Sequence, residues 1–297
     1  MVIAGGTYWE GHADHWTKKL YSASTSAYNP ASQYWTRLPD MPIPLGYPAS
    51  TVVGNRLFVL GGYTGSTVNR KIFTLHKADG KYVWQDFGTI TADRVFAPAV
   101  SVGSTIYLVG GTTAFEAMDE AGTCCTTRTA TNTLLAFDTN HPARGWQRLA
   151  SHPGKARWLS AVTTDGNAIW VMGGILQAEP KGPVTKFNEV LKYELATGKW
   201  QVMPPLPPDA TEHQPLTALT IHGRILLFTT RKEVWQLDLG TQQYTRTTPL
   251  PLAAAVDRFF WLDQEIVGAG GEIQPPGPRR RSPWIFTGRI TNLSTSP

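Results

Sequence analysis

Cysteine is almost missing from this chain. The only two are neighbours, Cys124 and Cys125, which excludes a disulfide framework and a thiolate zinc site. Charge is sparse as well. Asp, Glu, Lys and Arg make up 16 % of 297 residues, below the usual quarter, so a coiled coil and a charged disordered chain are ruled out. No apolar run approaches the roughly 18 residues of a transmembrane helix. The opening MVIAGGTYWEGHADHW lacks the basic and long apolar stretches of a secretory signal. A net charge of +5 favours an acidic ligand. The strongest basic run is only Arg279-Arg280-Arg281, too little for a nucleic-acid footprint.

Turn formers and aromatics are what the chain has in quantity. It carries 28 Gly, 22 Pro and 11 Trp, and this mixture with few charges reads as β-rich. The informative feature is self-similarity. Gly-Gly pairs close apolar strands at VIAGG (2–6), LFVLGG (57–62), IYLVGG (106–111), IWVMGG (169–174) and IVGAGG (266–271). ILLFTT (225–230) is a sixth copy with threonines in place of the glycines. Between the pairs sit Trp35, Trp84, Trp146, Trp200 and, in the same place, Tyr244.

From each aromatic to the second residue of the following pair the steps are 27, 27, 28, 30 and 27 residues. From each pair to the next aromatic they are 29, 22, 35, 26 and 14. One segment has nearly constant length and the other takes all the insertions, the pattern of a toroidal repeat. Each unit parses into four short strands. In the third these are 97–103, 105–111, 131–138 and 145–149. The expectation is an all-β, six-bladed propeller of about 22 strands, with the Trp residues packed between blades. Residues 1–297 form one domain whose first and last blades each hold three strands. The two strands still wanted are consecutive in chain order, so one N-terminal segment is expected to supply both.

The insertions open on one face around the channel, the default binding face of such a ring. There the first insertion offers Trp9 and Trp16 for stacking on a sugar, and His12, Asp14 and His15 as an unsupported ligand set; no metal site is expected. Arg94 and Arg157 each stand 17 residues before the second glycine of their repeat. They read either as a fork for a carboxylate or as structural bridges between blades. Asp257 and Arg258 start the last inner strand, with one of them facing the channel. Glu272 directly follows a Gly-Gly pair, with Arg279, Arg280 and Arg281 a proline-rich loop away. A carboxylate beside cations is the raw material of acid–base chemistry on an anionic sugar.

The Gly-Gly pairs with Tyr28-to-Trp35 and Tyr193-to-Trp200 resemble the kelch repeat, which implies a β-propeller of four-stranded blades. More narrowly, the stretch from AGGTYWEG through WTRLPDMPIPLGYPASTVVGNRLFVLGG resembles the bacterial N-acetylneuraminate epimerase (sialic acid mutarotase) group and its cyclically permuted relatives. That resemblance implies a cofactor-free mutarotase acting on a pyranose. Gly271-Glu272 matches the family's catalytic Gly-Glu, and Arg279 or Arg280 stands loosely for its arginine, because position 278 is Pro. The competing reading is a non-catalytic propeller that holds a protein or carbohydrate partner. Copper-radical chemistry is excluded, since it needs a Tyr–Cys cofactor that the adjacent Cys pair does not suit.

Overall fold

The computed structural model describes residues 1–10, 18–113, 129–179, 182–251, 253–255, 258–273, 280–281 and 285–290. Six antiparallel sheets follow one another along the chain. Blade one contains Val2–Ala4, Thr25–Asn29 and Tyr34–Leu38. Blade two contains Ala49–Val53, Arg56–Leu60, Lys71–Ala78 and Lys81–Thr89. Blade three contains Ala99–Val102, Thr105–Val109, Leu134–Asp138 and Gln147–Leu149. Blade four contains Ala161–Thr164, Ala168–Met172, Val190–Glu194 and Lys199–Met203. Blade five contains Pro215–Ile221, Arg224–Thr229, Val234–Asp238 and Tyr244–Arg246. Blade six contains Arg258–Leu262, Glu265–Ala269 and Ile285–Gly288. Blades one and six thus have three described strands each and the others four. Among the described residues helix is confined to connectors, Pro142–Arg144 and Pro208–Glu212.

The core lies between blades, where alternate side chains of neighbouring sheets interdigitate. Ala161, Trp170, Met172, Leu206, Ala218 and Leu227 join blades four and five. Corresponding clusters join two to three, five to six, three to four and one to two. The first strands of blades two to six succeed one another round the channel.

Two recurring contacts explain the constant spacing. The first is a suture at the Gly-Gly pair. The second glycine donates its N–H to the carbonyl that opens the next blade: Gly6 to Leu45 at 2.8 Å, Gly62 to Arg94 at 2.8 Å and Gly111 to Arg157 at 3.0 Å. The first glycine gives that carbonyl room. A Cβ on Gly61 would stand 2.4 Å from the Arg94 oxygen. In blade four the Gln214 side chain takes the carbonyl's part, with Oε1 2.7 Å from the Gly174 nitrogen. Thr230 donates instead to His213, which opens its own blade.

The second contact adds to an expectation. The repeat tryptophans pack half-buried against the clusters between blades, Trp84 between one and two, Trp146 between two and three and Trp200 between three and four, and their indole N–H groups also latch the outer strands. Trp84 Nε1 donates to Pro39 O at 2.9 Å, Trp146 to Thr89 O at 3.0 Å and Trp200 to Ala150 O at 2.7 Å. The Tyr244 hydroxyl donates to Pro204 O at 3.0 Å. Each acceptor lies at or just past the end of the outer strand of the preceding blade, so the latch ties neighbouring blades at the rim.

Candidate functional site

Register places the insertions. Each first strand begins where its neighbour ends, as in Ala49↔Leu60, Ala99↔Leu108 and Ala161↔Met172. The segments after the second strands therefore open on one face, at the start of the first strands. Three of them carry extra pairing that the spacing did not signal. Thr7–Glu10 pairs with Lys18–Tyr21, Ile175–Leu176 with Thr185–Lys186, and Glu272–Ile273 with both Ala254–Ala255 and Arg280–Arg281.

On this face blades one to four build an arc of rings. Tyr21 meets Tyr63 edge-on, with centroids 5.6 Å apart. Lys19 Nζ lies 4.7 Å above the Tyr47 ring. Tyr47 packs on Phe96 at 4.2 Å, and Phe96 on Trp158 at 5.0 Å. Burial and the neighbouring Tyr63 push the Tyr21 hydroxyl up to about 12, so it stays a neutral donor. Tyr47, Phe96 and Leu159 hold φ of 57°, 54° and 54°. This left-handed conformation is costly for bulky residues and gathers at ligand sites. The three are strung together across blades, Phe96 N–H to Tyr47 O at 3.2 Å and Leu159 N–H to Phe96 O at 3.4 Å. Tyr47, Phe96 and Leu159 remain half-exposed at the channel mouth. No Gly marks these positions, so the sequence carried no signal for them.

The arginines expected at the rim are turned inward. Arg94 is 4 % and Arg157 1 % exposed. Arg157 donates through Nε to Lys155 O at 2.9 Å, through Nη1 to Gly173 O at 3.1 Å and through Nη2 to the Glu189 carboxylate. Its guanidinium also lies 4.2 Å over the Phe187 ring. Burial pulls its pKa down to about 10, still charged at neutral pH. Arg94 donates to Asp93 O and to Thr133 Oγ1, at 2.7 and 2.8 Å. Burial, then the charge of Arg148, lowers its pKa. These donor sets anchor each arginine in its own blade, while its main-chain carbonyl sutures the preceding one.

Arg258 opens the first strand of blade six, exposed, with Nη1 2.9 Å from Leu216 O of blade five. Trp9 stands opposite Lys19 in the blade-one hairpin. Glu272 stands opposite Arg281, and Ile273 opposite Arg280. By register, then, the cross-strand neighbour of Glu272 is Arg281 rather than Arg280. Arg279, Asp257, His12, Asp14, His15, Trp16 and both cysteines lie outside the described residues. Among the described residues no three His, Cys, Asp or Glu side chains gather as a metal site, and no helix is long and apolar enough to cross a membrane. A further pair went unnoticed in the sequence. The His213 ring nitrogen lies 3.3 Å from the Glu233 carboxylate at the mouth of blade five, out of hydrogen-bond alignment.

Six successive sheets, with Gly-Gly sutures and aromatic latches recurring at the boundaries between blades one and five, make this chain a kelch-repeat β-propeller. No family model matches it. It is 25 % identical to a protein named Kelch-like protein terF from Aspergillus terreus, over 67 % of this chain and 42 % of that protein. Alpha-scruin of Limulus polyphemus is 23 % identical over 61 % of this chain and 18 % of its own length. The N-acetylneuraminate epimerase of Vibrio cholerae is 31 % identical over 24 % of this chain and 18 % of that enzyme. The chain thus spans less than half the length of these relatives.

Proposed function

We propose that the chain is a binding propeller whose loop face receives a sugar, preferably an anionic one, on the Tyr47–Phe96 arc. The observation that carries this is the ring pair held in left-handed backbone at the channel mouth. Aromatic faces stack on the C–H face of a pyranose, and Lys19 above Tyr47 supplies a cation for a carboxylate. Partial similarity to an enzyme named for N-acetylneuraminate points to the same ligand class. Saturation-transfer NMR with N-acetylneuraminate, and galactose as the neutral control, tests it. The acidic sugar is expected to show contacts that Tyr47→Ala and Phe96→Ala remove and Lys19→Gln weakens. Equal signals for wild type and all three variants would refute it.

A second reading is mutarotation, favoured by the backbone pairing of Glu272 with Arg281. In it Glu272 takes the proton of the anomeric hydroxyl as the bond from the anomeric carbon to the ring oxygen breaks and water protonates the ring oxygen, and reclosure on the other face reverses both transfers; Arg279 or Arg280 holds the sugar carboxylate, with Arg258 and Trp9 on the approach. No cofactor enters. Glu272→Gln is then expected to slow anomer exchange by about 100-fold or more while sugar binding persists. Exchange no faster than in buffer, with wild type and variant alike, leaves the non-catalytic reading. A protein partner on the same face is the outcome if no sugar in a broad panel binds.

A further inference from the structure

The wedge between blades three and four is not filled on the face away from the insertions. A cavity of about 300 Å³ lies there, lined by residues of both blades. Thr105 starts the second strand of blade three and pairs with Asp138, which ends the third. Both line the cavity, so it sits at the opposite end of the strands from the Gly-Gly pairs.

Its cause is a row of side chains that crosses one face of each blade. In blade two the row is Phe58, Thr74 and Gln85. Phe87 interrupts the outer-strand register there and packs edge-on to Phe58 at 5.1 Å. In blade four the row is Trp170, Lys192 and Gln201, and Lys192 Nζ lies 5.7 Å from the Trp170 ring. In blade three the row is Tyr107, Ala136 and Gln147. Its middle member is a methyl group where the neighbours carry Thr and Lys. Its outer strand pairs in even register, so no extra ring enters. Trp146 does not fill the gap, because it stacks on Phe137 at 5.0 Å, against the cluster between blades two and three. From blade four only Tyr193 and Leu195 reach the space.

The lining offers donors without acceptors. Tyr193 is 5 % exposed and packs on Trp200 at 5.0 Å, and among the described residues its hydroxyl has no hydrogen-bond partner. The same holds for the guanidinium of Arg144 and the amide of Gln147, both exposed at the opening. Burial raises the pKa of Tyr107 and of Tyr193, so both phenols stay protonated. The acidic group in the lining, Asp138, is already engaged. Ser104 Oγ donates to it at 2.9 Å and the Asn140 N–H at 3.0 Å, with His141 Nδ1 at 2.7 Å. The bond to His141 and then the bonds from Asn140 and Ser104 hold its pKa down to about 2, so it is a fixed anion. A buried donor left unmade is costly, and a planar guanidinium matches a carboxylate.

We propose that this cavity binds a small organic monocarboxylate. Arg144 and the Tyr193 hydroxyl hold the carboxylate, and the apolar body lies against Ala136, Leu149 and Leu195. Asp138 turns away a ligand with a second anionic group. The volume admits about ten non-hydrogen atoms, at the roughly 30 Å³ that a water occupies. The inference does not depend on what the loop face receives.

Benzoate is a probe of about this size. Methyl NMR on the full chain reads the site directly. Titration is expected to shift the Ala136, Leu149 and Leu195 methyls saturably, with a dissociation constant of about a millimolar or below. Benzamide, which lacks the charge, is expected to bind at least about tenfold more weakly, and phthalate, with a second carboxylate near Asp138, likewise. Arg144→Gln is expected to weaken benzoate about tenfold and Tyr193→Phe about fivefold, the worth of a charged and of a neutral hydrogen bond. Ala136→Leu fills the row and is expected to abolish the shifts with the fold intact by circular dichroism. Arg144 is exposed, so its variant decides the matter even if Ala136→Leu fails to fold. Benzoate that leaves the three methyls unmoved, or that moves only residues of the Tyr47–Phe96 arc, would overturn the proposal. Equal affinity for benzamide or phthalate, or of Arg144→Gln for benzoate, would overturn it too.

Discussion

Arg157 is the residue on which the two rim readings part most sharply, and Arg157→Leu tests them. As a ligand fork its loss would spare the fold; as a buried structural anchor that bridges parts of its own blade it would not. The side chain is 1 % exposed and makes three donor bonds, two to main-chain carbonyls and one to Glu189. A hydrogen bond from a charged group contributes about 1.5–3 kcal/mol, and opening a buried pair costs about 3–5 kcal/mol. Two features temper the sum. The Glu189 side chain is 38 % exposed and can rehydrate, and Gly173 O keeps its bond from Ser160 Oγ. Leucine also retains part of the packing on Phe187. A loss of about 3–4 kcal/mol remains, the lower part of the range for buried pairs. At about 2 °C per kcal/mol for a chain this long, the melting temperature should fall by about 6–8 °C. Arg157→Lys should recover less than half of it, because an ammonium cannot reach the two carbonyls and the carboxylate from one planar fork. Calorimetry with sugar-binding titrations in parallel decides the matter. A melting temperature within about 2 °C of wild type, with sugar binding lost, would refute the bridge and return Arg157 to the ligand.

His152 should make stability pH-dependent. Burial, then the charge of Arg157, holds its pKa down to about 4 against about 6.5 when unfolded. The unfolded chain therefore binds the extra proton first. Stability on this account is intact above about pH 6.5, falls as pH drops, and the loss levels off near pH 4 at about 3 kcal/mol. Subtracting the urea-denaturation profile of His152→Phe from that of wild type should show this slope, and a flat difference would argue against it. Gly61→Ala and Gly54→Ala separate close approach from backbone conformation. Both glycines have left-handed φ, 66° and 58°, but only at Gly61 does the new Cβ meet an atom, the Arg94 oxygen at 2.4 Å. Gly54→Ala should cost about 1–2 kcal/mol and Gly61→Ala clearly more; equal costs would show that the suture has slack. Gln214→Leu should destabilise by about 2–4 kcal/mol, since it leaves the Gly174 N–H without its acceptor. Gln214→Glu restores that acceptor but not the donor to Phe187 O, so it should recover only part of the loss; full recovery would mean that the suture alone matters.

The sequence by itself determined the architecture. Residue spacing is a property of the chain alone, and a constant 27–30-residue step can be met only by a repeated unit of constant path length. That was enough for six blades. It also placed Gly-Gly where a backbone must come close. Only the tertiary structure decided what the spacing is for. Trp84, Trp146 and Trp200 read as core because they are large, yet their indole N–H groups reach a carbonyl some 50 residues away, a pairing that no local pattern encodes. Arg94 and Arg157 were visible as equivalent positions. Whether a guanidinium faces solvent or protein acceptors depends on where Gly173, Glu189 and Thr133 come to rest. The Tyr47–Phe96 arc left no trace in the sequence at all, because left-handed backbone at bulky residues is imposed by neighbouring blades against local preference.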